Sequence, residues 1–234
     1  MGVLKKLTSE YFGDTERKED IIELPEGVER VDFTDRNGVR HRNGYRVKDD
    51  NNNTLQELVR KLVEKRGPEC DLNDIDVSNM KNMSYMFYEL WFNGDISGWD
   101  VSKAVDMSYM FSYSHFNGDI SGWDVSKVEY MGHMFYWSKL FDGNLSKWKV
   151  SKVTDMSHMF DGSDFTGKNG DISGWDVSGV RDMSYMFYRS MFNGDLSEWK
   201  VSVLNTRMCM GMFDKSPLEN NPPEWYEKSV PLLL

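Results

Sequence analysis

The sequence predicts an α/β repeat solenoid: stacked coils carrying parallel strands, preceded by an N-terminal capping helix and a small N-terminal β-rich segment. Three observations predict it. A motif of the form Asp-Ile-Ser-Gly-Trp-Asp-Val-Ser recurs from Asp71, Asp95, Asp119, Asn144, Asp171 and Asp195, at intervals of 24, 24, 25, 27 and 24 residues. Apolar side chains keep fixed places in every unit. The 16 Met, 8 Trp and 13 Phe among 234 residues are biased usage of the kind a repeated motif produces.

Each element follows from local chemistry. Asn37-Gly38 and Asn43-Gly44 are turn formers between short β-like runs at Val28–Phe33 and Val39–His41. Residues 1–53 therefore read as a small β-rich module, closing in a linker at Asp49–Asn53. Thr54 with Glu57 makes a capping box, Leu55, Leu58, Val59, Leu62 and Val63 form one apolar stripe, and Gly67-Pro68 stops the chain. That pattern predicts a capping helix over 54–70. Residues 71–213 hold six units. In the second of them Ile96, Trp99 and Val101 are apolar, and the period-two spacing of Trp99 and Val101 predicts a strand whose other face carries Asp100 and Ser102. The second half reads Val-x-x-Met-x-x-Met-Phe, a short helical or irregular turn with its apolar side inward. After the next Phe (Phe92, Phe116, Phe141, Phe192) an Asn-Gly or Asp-Gly pair is expected to turn the chain through left-handed geometry. The motif decays over Cys209–Phe213, and the prolines, Trp225 and Tyr226 of residues 214–234 predict an irregular C-terminal cap. No unit can bury both its faces alone, so the end units need such caps.

Bulk properties narrow the function classes. Of a net charge of −10, −9 falls on residues 71–234, a surface that repels phosphate, so direct nucleic-acid binding is not expected. Cys70 and Cys209 cannot supply a disulfide framework for a chain of this size, which fits a reducing compartment. No apolar run has the length of a membrane span or a signal-peptide core, and the expectation is a cytoplasmic protein without membrane contact.

The run Trp-Asp-Val-Ser-x-Val-x-x-Met-x-x-Met-Phe, followed by Phe-Asn-Gly-Asp-Ile-Ser, closely resembles the BspA-like leucine-rich-repeat family of bacterial and protist proteins, over Asp71–Phe213. The resemblance implies a right-handed leucine-rich-repeat-like coil with its parallel strands on the concave side. It implies protein binding and adhesion rather than catalysis, and a cell-surface setting as the alternative to the cytoplasm. With no leader or anchor in the sequence, a phage or mobile-element origin is an equal expectation.

Two surfaces are candidate sites. On the expected concave face stand Asp76, Asp100, Asp124, Lys149, Asp176 and Lys200, beside a serine column from Ser78 to Ser202, readable as a solvated face or a binding surface. After each Met-Phe come Tyr88, Trp91, Tyr113, Tyr136, Trp137, Tyr188 and Met191, an aromatic edge of the composition that interfaces enrich, readable also as convex-side packing. The Met columns, such as Met107 and Met110, and the Trp column read as core. His133 and His158 hold equivalent places in adjacent units, where Tyr85, Tyr109 and Tyr185 stand elsewhere. No Cys or carboxylate completes a metal-ligand set around them, so no metal and no cofactor are expected. No nucleophile with a base and no phosphate-binding loop is found, and no enzyme is expected. The expected partner is another protein. The alternatives are an acidic inhibitor filling the basic groove of a nucleic-acid-processing enzyme, and a self-associating structural element.

Overall fold

Each unit has three places for an Asp-x-Ser triplet, all three filled in the second and fifth units, and in the computed structural model, which describes residues 22–201 and 206–227, these triplets form turns. In the second unit the carboxylates of Asp95, Asp100 and Asp106 accept the backbone N–H groups of Ser97, Ser102 and Ser108 at 2.9, 3.0 and 2.8 Å. Backbone turns overlap them, with Trp99 N–H donating to Ile96 O, Ala104 to Val101 and Met110 to Met107. These local bonds offer the backbone an alternative to strand pairing, and Asp and Ser favour them.

The expected α/β repeat solenoid with parallel strands is therefore corrected. Among the described residues the regular elements are two helices and one mixed three-stranded sheet, and no sheet runs through the units. β1 (Val28–Thr34) pairs antiparallel with β2 (Arg40–Val47), which pairs parallel with β3 (Ile75–Asp76). Helix α1 spans Asn52–Arg66 and the single-turn α2 spans Glu224–Glu227, with a 3-10 turn at Thr206–Cys209. Period two misled because Asp-x-Ser-x-x is spaced alike in a strand and in a chain of side-chain-capped turns.

Neighbouring units are joined by single parallel bridges, Asn82 to Asp106, Asp106 to Tyr130, Tyr130 to Asp155 and Asp155 to Asp182. Beside each bridge every second amide donates to the following unit: Met107, Tyr109, Phe111 and Tyr113 bond the carbonyls of Tyr130, Gly132, Met134 and Tyr136. Tyr109 and Tyr113 have φ of 59° and 55°, a left-handed geometry foreign to a regular β-strand, and it recurs in pairs at Tyr85 and Glu89, His133 and Trp137, and Tyr185 and Arg189. Within the units these left-handed residues thus stand two places before and two places after the phenylalanine of each Met-Phe pair. Gly94, Gly118, Gly143 and Gly194 of the Asn-Gly and Asp-Gly pairs are not among them. At Gly94 the reason for glycine is contact, since a Cβ would collide with the Cys70 carbonyl.

The interior is one continuous cluster. Ile96, Trp99, Val101, Met107, Met110, Phe111 and Phe116 are buried in the second unit, and their counterparts are buried in the first, third, fourth and fifth. Phe87, Phe111, Phe135, Phe160, Phe187 and Phe213 stack with centroids 5.3 to 5.9 Å apart. Each indole N–H of the buried Trp column reaches back to a carbonyl one unit earlier, Trp99 to Leu72, Trp148 to Ile120 and Trp199 to Ile172 at 2.9, 3.1 and 3.0 Å.

The ends are closed by other means. The Asn37-Gly38 turn joins β1 to β2, whereas Asn43-Gly44 lies inside β2, so one of the two expected turns is not a turn. The hairpin is no separate module: Tyr45 N–H bonds Asp74 O, Asn79 Nδ2 bonds Val47 O, and the Tyr45 ring is fully buried. Helix α1 begins at Asn52, inside the expected linker. Its N-cap is Asn51, whose side chain accepts from Asn53 and Thr54 N–H, rather than Thr54. At the far end Trp225 continues the indole series, donating to Leu196 O at 2.8 Å and stacking on Trp199 at 6.4 Å. Residues 1–21 of the expected N-terminal module, Ser202 of the serine column and residues 228–234 of the expected tail lie outside the described residues.

Candidate binding surfaces

The acidic column is set by the second Asx turn of the first, second, third and fifth units, and this gives its carboxylates a structural task before any other. Asp76, Asp100, Asp124 and Asp176 accept the N–H of Ser78, Ser102, Ser126 and Ser178. Asp76 is buried and paired with the Arg46 guanidinium, whose Nε lies 2.7 Å from Oδ2. Burial works against its charge, yet the bonds from Ser78 and Arg46 hold its carboxyl below the usual range. Asp100 is half-buried, while Asp124, Lys149, Asp176 and Lys200 are exposed. The Asp124 carboxyl is held low by its bonds from Ser126, and the Asp176 carboxyl likewise by Ser178. The column is not uniform: one end is sealed under the hairpin, and the rest is a solvated row of caps with two lysines.

The aromatic edge resolves into three columns. Tyr88, Tyr136 and Tyr188 share one repeat position and are half-buried. Tyr113 and Trp137 share the next, with left-handed backbone, and Trp91 and Met191 stand a further two residues on. The first two columns interleave. Tyr113 meets Tyr88 edge-on at 6.2 Å and Tyr136 at 5.2 Å. Trp137 leans over Gly162, where a Cβ would press on its indole, and Lys139 Nζ sits 4.9 Å from its ring centre. Tyr188 lies under Arg189 and Lys215, and its hydroxyl accepts from Lys215 Nζ at 3.0 Å. Trp91 and Met191 are 66% and 55% exposed and lie apart from that run.

Alongside runs a stack that sequence reading noted only as a tolerant aromatic column. Tyr85, Tyr109, His133, His158 and Tyr185 follow one another with centroids 4.6, 4.3, 4.6 and 4.9 Å apart and nearly parallel planes. Burial, with His158 beside it, pushes His133 down to about 4, so it is neutral at neutral pH. His158 Nδ1 lies 2.7 Å from the buried Asp161 carboxylate, whose pKa burial raises despite that contact. Burial likewise raises Tyr136 to about 12 and moves Tyr109 upward, so these hydroxyls stay protonated. Among the described residues no group of three or more His, Cys, Asp or Glu is placed to hold a metal ion. Cys209 is buried, which pushes its thiol up to about 11 and leaves it unreactive.

Sequence reading missed three exposed residues. His115 stacks on Trp91 at 4.4 Å, and aligning Phe116 with Phe92 would have found it. Leu140 holds the same place one unit later and is 51% exposed. Tyr130 replaces the third turn-forming Asp of its unit and is exposed, a break visible once the three Asp-x-Ser triplets are aligned.

Among the described residues no helix is long and apolar enough to cross a membrane. A family model described as "Mycoplasma protein of unknown function, DUF285" matches residues 55–168 and, overlapping them, 114–226, as a chain with internal repeats allows. Comparison with the curated proteins and with the solved structures returns no match.

Proposed function

The chain belongs to the DUF285 family, whose function is unknown, and from that premise we propose that it is a non-catalytic protein-binding molecule whose contact surface is the aromatic edge. The observation that carries the reading is the contrast between the two candidate surfaces. The carboxylates of Asp76, Asp100, Asp124 and Asp176 are committed to backbone caps, whereas Trp91, Tyr113 and Met191 remain exposed although burial would stabilise them. Exposed aromatic and Met side chains gathered on one side are what protein interfaces select. The motif's resemblance to BspA-like proteins supports the same role.

Capture from a lysate of the source organism tests it, with three baits compared. A partner held by the wild type is expected to be lost with Trp91→Ala/Tyr113→Ala and kept with Asp124→Asn/Asp176→Asn, since asparagine retains the turn cap and removes only the charge. The reverse pattern would sink the proposal and favour an electrostatic inhibitor of a basic enzyme.

A further inference from the structure

The Tyr85–Tyr185 stack has a beginning, and a groove lies there. Tyr85 is its first ring: Tyr109 covers one face at 4.6 Å, and among the described residues no ring stacks on the other. Tyr85 is 42% exposed, and Tyr88 meets it edge-on at 5.6 Å, so the two make an aromatic corner. That corner borders an open groove of about 730 Å³ whose opposite wall is the start of α1, with Asp50, Asn51, Asn52, Gln56 and Arg60 along it.

The polar wall is already anchored. Asn52 Nδ2 and Gln56 Nε2 donate to Ser84 O at 2.7 and 3.0 Å, and Arg60 donates to Tyr88 O at 3.0 Å. Asp50 Oδ1 accepts the N–H groups of Lys81 and Asn82 at 2.8 and 3.3 Å. Each of these bonds uses one atom of its side chain and fixes the rest, so Gln56 Oε1, Asp50 Oδ2 and the remaining guanidinium N–H groups are held as a preorganised set of acceptors and donors. Among the described residues that line the groove, Asp50 and Arg60 carry the charge and they balance, which selects against a phosphate and against a cationic ligand.

From this geometry we infer that the groove is a binding site for a neutral saccharide, one sugar ring lying on the open face of Tyr85 with its hydroxyls bonded to Gln56, Asp50 and Arg60. A pyranose offers what the lining complements: an axial C–H face for the electron-rich ring and a dense rim of hydroxyls that both donate and accept. A planar aromatic ligand would use the tyrosine face and leave the anchored polar groups unpaired. Of the aromatic edge proposed above as a protein contact, Tyr88 borders this groove while Trp91 and Tyr113 lie outside it, so the two readings are tested by different substitutions.

Saturation-transfer NMR on the full chain tests it, using glucose, galactose, N-acetylglucosamine, mannose and their β-linked disaccharides as probes. At least one probe is expected to show saturable transfer to its ring C–H protons. That transfer should fall at least tenfold in apparent affinity with Tyr85→Ala and with Gln56→Ala, and should be unchanged with Trp91→Ala. Thermal melts of each variant establish that it is folded, and Gln56→Ala, a change on a helix surface, serves if Tyr85→Ala does not fold. Absence of transfer to every probe, transfer unaffected by Gln56→Ala, or binding of indole or adenosine but of no sugar would overturn the inference.

Discussion

Asp76 and Asp176 occupy the same place in the repeat, and their surroundings make them different residues. Both cap a turn, but only Asp76 is enclosed and paired with Arg46. Replacing it by Asn keeps the cap and removes the charge opposing a guanidinium, so Asp76→Asn is expected to lower stability by about 1–3 kcal/mol. Asp176→Asn should stay within about 0.5 kcal/mol; urea denaturation of the two variants checks the contrast. His133 gives a pH dependence of known sign. The unfolded chain takes up its proton near about pH 6.5, the folded one only near about 4, so stability falls between those values as pH is lowered. His133→Tyr, which installs the side chain of Tyr109 at an equivalent φ, should reduce that loss relative to wild type. Equal slopes of denaturation midpoint against pH in the two proteins would contradict the assignment. Residues such as Asp76 could not be told from their repeats by sequence, because the hairpin that buries it arrives from 30 positions earlier.

At the scale of elements, what was legible was what repetition makes redundant: unit boundaries, the buried Met, Trp and Phe positions, and the helix before the first unit. The backbone path was not, because a strand and a chain of Asx turns place apolar residues at the same spacing. The side-chain hydrogen bonds that decide between them leave no periodic signature of their own. The helix start shows the same competition. Thr54 and Glu57 satisfy a capping-box pattern, yet Asn51 takes the cap. Asn51→Ala is therefore expected to cost about 1 kcal/mol and Thr54→Ala much less, measured by thermal unfolding. A larger loss at Thr54 would return the helix start to the sequence-based position. The indole bonds were equally invisible as bonds, though the preference for Trp over Phe at one position in five units was their trace.

Across the whole molecule, backbone bonds and stacked rings run from the hairpin at one end to Trp225 at the other. Repetition then separates surfaces by role: positions that cap turns or fill the interior serve the fold, and those that do neither are available for contact. The aromatic edge and the groove at its start belong to the second class, and the acidic column mostly to the first. Of the surface, the sequence revealed which aromatics exceed the core motif, but not that they fall in three columns, since a one-residue and a three-residue insertion blur their alignment. Site-specific photo-crosslinking in cells of the source organism tests the division most directly, with p-benzoylphenylalanine placed in turn at positions 113 and 124. The account predicts a discrete crosslinked partner from position 113 and none from position 124; crosslinking from position 124 alone would contradict it.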